Sequence, residues 1–394
     1  MDNKAVPSLL PVYRRYDLAF ARGEGSWLYT TDGRRLLDFA SGIAVTGLGH
    51  AHPHLVATLR EQGGKLWHVS NLFRIPELER LADRLVAQTF ADTVFVCNSG
   101  AEAIEACIKM VRRYHWALGS PERHRMITFE GAFHGRTIAT VSAAGGKKLV
   151  EGLDPLLPGF DIVPFGNLEA VQAAIGPETA AIMIEPIQGE GGIRPCPPPF
   201  LEALRALCDE HGLLLVFDEI QAGMGRTGTL LASEQAGVRP DIAGIAKGLG
   251  GGFPIGACLA TARAASGMTA GSHGSTFGGN PLGCAVANAV LDVMLADGFL
   301  EQVVVRGRQF HARLEALREA YPTVLAEVRG RGLLVGLRLH GRSGEFITAL
   351  HGHGLITVPA AEEVVRLLPP LTISEEEIDQ GCEMLEIACR EFVA

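Results

Sequence analysis

The chain has 394 residues, of which 47% are hydrophobic and 20% charged, and this composition is typical of a globular protein with two or three domains. Its 44 acidic and 35 basic residues give a formal charge of −9, which disfavours general nucleic-acid binding. Because no run of 18 apolar residues occurs and the first residues lack a long apolar stretch, we expect neither a membrane span nor a signal peptide.

The first 50 residues form an N-terminal segment, in which residues 27–42 predict a short β-meander. This segment is expected to pair with the C-terminal part of the chain or with a partner subunit. The eight cysteines contain no C-x-x-C pair and fit neither a zinc site nor a disulfide framework. We therefore expect reduced, buried thiols in a cytoplasmic protein.

From residue 94 onward, short apolar runs alternate with helical patterns. Strands are predicted at 94–97, 126–129, 161–165, 180–186 and 213–219, with helices at 101–118 and 200–212. Apolar strands separated by helices favour an α/β domain with a mostly parallel sheet, which we place at 51–299. Its functional residues should follow the carboxyl ends of the strands.

The pattern changes near residue 280, where two long helices are predicted at 281–296 and 299–320. Shorter strands are predicted at 324–330, 333–339, 355–359 and 364–370, and the pair Ser374 and Glu377 has the spacing of a capping box before a last helix. We interpret residues 300–394 as a smaller α+β domain.

Residues 98–103 join a strand to a helix and include Ser99, Gly100 and Ala101. A small turn at a helix N-terminus exposes unpaired N–H groups, so this turn is either an anion or phosphate site or an ordinary serine cap. Asp218 and Glu219 end an apolar strand, where a carboxylate needs a cationic partner: an aspartate there can hold a protonated pyridine nitrogen, and the alternatives are a metal ligand or a structural ion pair. No histidine or aspartate at metal-ligand spacing follows, and we predict no metal.

Lys247 follows an apolar stretch and precedes a run of glycines. Desolvation lowers the pKa of a lysine and makes it a Schiff-base nucleophile, whereas most isolated lysines are solvated surface charges.

Residues 133–136 contain Phe133, which could stack on the face of an aromatic ring, and Arg136, which could bind a carboxylate. Glu190 lies in a glycine-rich segment at 185–192, where it either moves or caps a turn.

Residues 223–228 match G-x-G-x-x-G, the fingerprint of dinucleotide binding. The match does not directly follow a strand, no good amphipathic helix comes after it, and the acidic residue expected about 20 positions later is missing. We therefore expect a loop with another role, and a nicotinamide-dependent oxidoreductase remains a remote alternative.

Taken together, these motifs resemble the class III (ω-amino) aminotransferases of the fold-type I pyridoxal-phosphate superfamily, over nearly the whole chain. Within that class they are most similar to the acetylornithine aminotransferases, on the sequences at 41–45, 49–50, 66–71 and 273–280. The resemblance implies a large domain with a mostly parallel seven-stranded sheet and a smaller α+β domain.

The resemblance also implies a site for pyridoxal 5'-phosphate. The residues that it assigns to the cofactor are Ser99, Gly100, Ala101, Phe133, Asp218, Glu219, Ile220, Gln221, Lys247 and, from the second subunit of a homodimer, Thr276. In relatives, the residues that match Lys247 and Asp218 are catalytic: the lysine forms the internal aldimine and the aspartate pairs with the pyridine nitrogen. By the same matching, Phe133 stacks on the ring, Gln221 contacts its hydroxyl, and the turn at 99–101 binds the phosphate.

Arg136 matches the arginine that binds the donor carboxylate, with Ser275 nearby, and Glu190 and Arg366 match a switch pair. In related enzymes that glutamate masks the arginine until 2-oxoglutarate binds. The implied reaction is a ping-pong transfer from N-acetylornithine to 2-oxoglutarate, which gives glutamate, in arginine biosynthesis. Ornithine, succinylornithine, N-succinyl-diaminopimelate and 4-aminobutyrate remain alternative donors, and a non-catalytic binding protein is a further alternative.

Overall fold

The computed structural model describes residues 8–393. The strands, in chain order, are β1 Phe20–Glu24, β2 Trp27–Thr30, β3 Arg35–Asp38, β4 Thr93–Cys97, β5 Arg125–Phe129, β6 Phe160–Val163, β7 Thr179–Ile184, β8 Ile187–Gln188, β9 Arg194–Pro195, β10 Leu214–Asp218, β11 Ile242–Ile245, β12 Gly256–Ala260, β13 Leu325–Arg331, β14 Leu334–Leu339, β15 Leu355–Ile356, β16 Val358–Ala360 and β17 Val364–Leu367.

The helices are α1 Ser41–Ala44, α2 Pro53–Gly63, α3 Pro76–Gln88, α4 Gly100–Ala117, α5 Ile138–Ala144, α6 Lys147–Val150, α7 Leu168–Ala174, α8 Pro198–His211, α9 Ala262–Ala265, α10 Pro281–Met294, α11 Phe299–Ala320, α12 Ser343–Gly352 and α13 Glu375–Phe392. The first of these, α1, is a kinked turn with left-handed residues. Two short 3-10 helices lie at Ala232–Ala236 and Lys247–Leu249. No single helix within residues 8–393 has the length and apolar character needed to cross a bilayer.

A seven-stranded sheet in the order β4-β12-β11-β10-β7-β5-β6 forms the centre of the molecule. Strand β10 pairs in parallel with β7 and β11, and β5 pairs in parallel with β6 and β7. Every residue of β7, β10 and β11 is buried, as expected for strands covered on both faces. The predicted mostly parallel sheet is confirmed. Strand β12, which is antiparallel to both neighbours, was not predicted.

The carboxyl ends of the parallel strands converge on one edge of this sheet. Asp218 ends β10, Glu185 follows β7, and Lys247 comes two residues after β11. Helix α4 begins at Gly100, directly after β4 and a two-residue turn. Chemically distinctive residues therefore meet where open α/β sheets bind their ligands.

A second sheet, in the order β13-β14-β17-β16, lies in the C-terminal part of the chain. A third sheet joins the two ends of the chain, because β15 pairs in parallel with β3 of the N-terminal meander. Glu377 strengthens that connection: it accepts hydrogen bonds from Trp27 Nε1 at 2.8 Å and Ser26 Oγ at 3.0 Å. The same residue completes the predicted capping box with Ser374. The N-terminal meander thus pairs with the C-terminal part of its own chain.

Two sequence expectations are resolved by this fold. The single strand predicted at 355–359 is wrong, because β15 and β16 break at Thr357 and join different sheets. The G-x-G-x-x-G segment folds as a loop followed only by the 3-10 helix Ala232–Ala236. Arg226 within it is 2% exposed and donates to the carbonyl oxygens of Leu333 and Pro369. The loop therefore anchors two parts of the chain to each other and lacks the strand–turn–helix context of a dinucleotide site.

Candidate active site

A cavity of about 410 Å³ opens at the carboxyl edge of the seven-stranded sheet. The residues that line it are Val45, Asn98, Ser99, Gly100, Ala101, Phe133, His134, Gly135, Arg136, Glu185, Asp218, Ile220, Gln221, Ala246, Lys247, Gly252, Phe253, Pro254 and Ile255. Nine of the fourteen residues predicted for the site are in this lining. Polar groups from five strand ends converge there on a largely apolar space, which is the usual form of a small-molecule site.

The turn at 99–101 begins α4, a helix of 18 residues. Ser99 is its N-cap and accepts a hydrogen bond from the Glu102 amide, so the serine does act as a cap. Gly100 and Ala101 occupy the first two helical positions, where amide groups have no partner within the helix. Both residues also line the cavity. The two sequence interpretations are therefore compatible, because the capped helix end presents free N–H groups to an anion.

Asp218 is 3% exposed, and each of its carboxylate oxygens has a partner. One oxygen accepts from the Ile220 amide at 3.0 Å, and the other lies 2.8 Å from Nδ1 of His134. Burial disfavours the protonated form of His134, but the hydrogen bond and the charge of Asp218 outweigh it and raise the histidine pKa. Within residues 8–393, Nε2 of His134 is buried without a hydrogen-bond partner, so among these residues the ring is held through its Asp218 side. This arrangement fixes the orientation of the Asp218 carboxylate.

Lys247 lies at the start of the short 3-10 helix that follows β11, with a φ of 45°. That left-handed conformation is uncommon for a residue with a side chain and indicates local strain held by the surroundings. Burial is the main cause that lowers the pKa of Lys247 to about 8; Arg366 lowers it further, and Glu190 and Asp218 oppose the change. A larger fraction of the amine is therefore neutral, and hence nucleophilic, than in a solvated lysine.

Phe133 and Arg136 also line the cavity, from the segment that follows β5. The guanidinium of Arg136 lies 5.3 Å from the centroid of the Phe133 ring. Arg136 is exposed, and no carboxylate within residues 8–393 forms an ion pair with it. An unpaired guanidinium beside an aromatic ring is well placed to bind an incoming carboxylate.

Glu190 and Arg366 form an ion pair through Oε1 and Nη1, as the resemblance implied for a switch pair. Glu190 lies in the turn of the hairpin β8–β9, and its carbonyl oxygen accepts from the Ala361 amide at 3.0 Å. Arg366 is 2% exposed and also donates to Oε1 of Gln221 at 3.1 Å. Neither member of the pair lines the cavity, but Gln221 does, and it links the pair to the cavity wall.

The structure does not bring the Glu219 side chain into the cavity lining, although the resemblance assigns this residue to the cofactor. Successive residues of an extended chain point to opposite sides, so Glu219 faces away from the cavity that Asp218 enters. Its carboxylate accepts from the amides of Ala232 at 2.9 Å and Ser233 at 2.8 Å. Burial raises the pKa of Glu219 to about 7. The residue holds the next loop in place.

Ser275 and Thr276 also lie outside the cavity lining. The Ser275 hydroxyl contacts Asn98 Nδ2 at 3.0 Å and Glu102 Oε1 at 3.3 Å, so it braces the turn before α4. Thr276 is exposed on the surface of the described chain. Thr276 therefore does not contact the cavity of its own subunit, and its side chain is accessible to another chain.

Sequence reasoning missed His134, Glu185 and Asn98 as residues of this site. His134 stands between Phe133 and Arg136, and Glu185 opens the glycine-rich segment at the end of β7. The strand-end rule that singled out Asp218 applies equally to Glu185 and would have found it. Nothing in the sequence indicates that His134 turns toward Asp218.

The chemistry of these groups fits pyridoxal phosphate. The cavity combines a desolvated amine, a buried carboxylate that can hold a protonated ring nitrogen, an aromatic ring and a helix N-terminus for the phosphate. Within the described residues no cluster of histidine, cysteine or acidic side chains has the arrangement of a metal site.

Comparison with known proteins agrees with this chemistry. Residues 12–389 match the family model described as "Aminotransferase class-III". The chain is 58% identical over 389 residues to acetylornithine aminotransferase 1 of Bradyrhizobium diazoefficiens, covering 99% of this chain and 96% of the relative. It is 57% identical over 391 residues to acetylornithine aminotransferase of Agrobacterium fabrum, covering 99% and 98%.

Solved structures show the same fold. The N-acetylornithine aminotransferase from Stenotrophomonas maltophilia is 41% identical, with a TM-score of 0.85 and coverage of 97% of this chain and 98% of that one. The ornithine aminotransferase from Toxoplasma gondii is 30% identical, with a TM-score of 0.94 and coverage of 98% and 93%. The backbone is therefore shared by enzymes named for different donors, and the fold alone does not select between them.

Proposed function

The chain belongs to the aminotransferase class-III family and depends on pyridoxal phosphate, and on that premise we propose that it transfers the side-chain amino group of N-acetylornithine to 2-oxoglutarate. The observation that carries this proposal is the identity of 57% and 58%, over nearly the full chain, to two proteins named for acetylornithine. The unpaired guanidinium of Arg136 in the cavity supports a donor that bears a carboxylate.

Pyridoxal phosphate, when bound, supplies the electron sink that allows the amino-bearing carbon to lose a proton. The chain's own residues would bind and orient it: the amides of Gly100 and Ala101 would hold the phosphate, and Phe133 would pack against the ring. Asp218, which His134 orients, would hold a proton at the ring nitrogen. The amine of Lys247 would accept the proton that the substrate carbon loses and, as the ammonium, would deliver it to the carbon of the cofactor that takes over the amino group.

Two arginines divide the carboxylates between them in this proposal. Arg136 binds the donor carboxylate, while Arg366 is occupied by Glu190. When Glu190 moves away, Arg366 becomes available to the second carboxylate of 2-oxoglutarate. One site then accepts two substrates in turn, as a ping-pong scheme requires.

We also propose that the site is completed in a homodimer. Large apolar side chains are exposed together at Leu66, Trp67, Leu72, Phe73 and Phe277. Asn71 joins these two segments by donating to the carbonyl oxygens of Ser275 at 3.0 Å and Gly278 at 2.9 Å. An exposed apolar surface of this kind favours a protein interface, and it borders Thr276, which would reach the phosphate of the other subunit. Replacing Leu72 and Phe73 with aspartate should give monomers in sedimentation and weaken cofactor binding.

The proposed donor is tested by adding N-acetylornithine to the holoenzyme without any keto acid. The visible absorbance of the bound cofactor should fall, and 2-oxoglutarate should restore it with formation of glutamate. Ornithine, succinylornithine, N-succinyl-diaminopimelate and 4-aminobutyrate should require much higher concentrations. If one of these bleaches the band at lower concentration, that amine is the donor. If Lys247→Ala leaves turnover unchanged, the chain works by another mechanism.

Three wider expectations accompany this function. The eight cysteines are all buried and unpaired, which supports a cytoplasmic location. A role in arginine biosynthesis is tested by rescue of an arginine-requiring strain that lacks this enzyme. We propose segment boundaries at 1–50, 51–299 and 300–394, which limited proteolysis would test.

A further inference from the structure

Glu185 is a buried carboxylate in the cavity wall to which no role has yet been assigned. It follows β7, is 5% exposed, and lines the cavity together with Asp218 and Lys247. Its two oxygens accept from different backbone segments: Oε2 from the Phe133 amide at 3.1 Å and Oε1 from the Gly189 amide at 3.3 Å. One side chain therefore bridges two backbone segments that are more than 50 residues apart in sequence.

Each bridged segment carries residues that the proposed function uses. Phe133 begins the segment that also contains His134, the partner of Asp218, and Arg136. Gly189 directly precedes Glu190, which pairs with Arg366. A shift of the Glu190 turn pulls on the Gly189 amide and, through Glu185, on the backbone of Phe133.

The bridge is costly for folding. Burial is the largest cause that raises the pKa of Glu185 to about 8, and the charge of Asp218 raises it as well, while His134 and the two amides oppose the rise. A glutamine at this position would be neutral at every pH but would offer an acceptor oxygen to only one of the two amides. The two hydrogen bonds of Glu185 therefore fix the distance between the backbone at Phe133 and the backbone at Gly189.

We propose that Glu185 is a positioning residue for transamination, which couples the Phe133–Arg136 segment to the Glu190–Arg366 pair. The proposal rests on the proposed function, because it assigns the cofactor to the Phe133 wall and the keto acid to Arg366. Glu185 acts through these residues and does not itself need to touch substrate.

The test is Glu185→Gln, which keeps the shape but provides one acceptor oxygen in place of two. One amide loses its partner, so kcat/KM should fall about tenfold. The KM for the keto acid should change as well as the KM for the amine, and the visible circular dichroism of the bound cofactor should weaken because Phe133 is less firmly held. If this variant is insoluble, Glu185→Asp, which is too short to reach both amides, should show the same changes.

Asp241→Asn is the control. Asp241 is also a buried carboxylate, its Oδ2 accepts from the Leu215 amide at 2.9 Å, and it lies outside the cavity lining. It should lower the thermal midpoint without changing either KM or the circular dichroism. Wild-type kinetics and dichroism in Glu185→Gln, or equal changes in both variants, would overturn the proposal. The dichroism needs no substrate, so its outcome is independent of which amine is the donor.

Discussion

Burial lowers the pKa of Lys247 from its ordinary value of 10.5 to about 8, and this has a measurable effect on the stability of the cofactor-free chain. In the unfolded chain the ammonium group is solvated and keeps its ordinary pKa. Between these two values the unfolded chain binds more protons than the folded chain, so stability rises with pH. The destabilisation of the folded chain by the buried Lys247 ammonium group is therefore complete below pH 8 and disappears above pH 10.5.

The size of the effect follows from that difference. Linkage gives a cost of about 3 kcal/mol at pH 7. Because the side chain of Lys247 is partly open to the cavity, we reduce this to about 2 kcal/mol. Lys247→Met removes the charge and keeps most of the apolar contact. The cofactor-free variant should be about 2 kcal/mol more stable than cofactor-free wild type at pH 7 and less than about 1 kcal/mol more stable at pH 10.

Urea unfolding at pH 7, 8.5 and 10, with one protein concentration throughout, measures this gap. Lys65→Met is the control, because Lys65 is exposed and forms an i,i+4 pair with Glu61. Because an exposed ion pair contributes little to stability, that variant should unfold much like wild type and should not be stabilised at pH 7. Equal stabilities of Lys247→Met and wild type at pH 7, or a gap that does not shrink with pH, would refute the electrostatic argument.

Three further predictions concern the site and the packing. Glu190→Gln removes the charge that occupies Arg366, so the KM for the keto acid should fall about two- to fivefold in steady-state assays. Arg136→Lys loses bidentate carboxylate binding, so kcat/KM for the amine should fall about 10–100-fold with an unchanged cofactor spectrum. Gly381→Ala places a methyl group against the buried ring of Phe39 and should cost about 1–3 kcal/mol in urea unfolding, whereas Gly344→Ala, in open space, should cost nothing.

The large sheet was predictable because its central strands are continuous apolar runs. Strands β7 and β10 are buried on both faces, and the helices between them carry regular caps, as at Gly212 after α8. Strand β12 was missed because Gly256–Ala260 is a run of small residues without alternation, and only its neighbours in space define it. The break at Thr357 also could not be predicted, because the residues on its two sides, β15 and β16, pair with strands of two different sheets.

Site residues could be predicted where the residue type and its sequence context together indicate a specific chemical role. Lys247 and Asp218 stood out by their contexts, and the structure places both in the cavity. The side to which a carboxylate turns depends on strand orientation, and for that reason Asp218 and Glu219 could not be separated in advance. His134 gained its place from a partner 84 positions away, and such pairs are fixed only by the tertiary fold.

The pairing of β3 with β15 has a consequence for biosynthesis. Ser26 and Glu377, which tie the same region together, are 351 positions apart in sequence. When the ribosome has made the N-terminal strands, their partners in the C-terminal part do not yet exist, so β3 presents an unpaired edge during most of translation. Such long-range pairing slows folding and exposes nascent chains to aggregation. Chains halted before residue 355 should therefore engage chaperones through this meander, and release should coincide with the emergence of β15 from the exit tunnel.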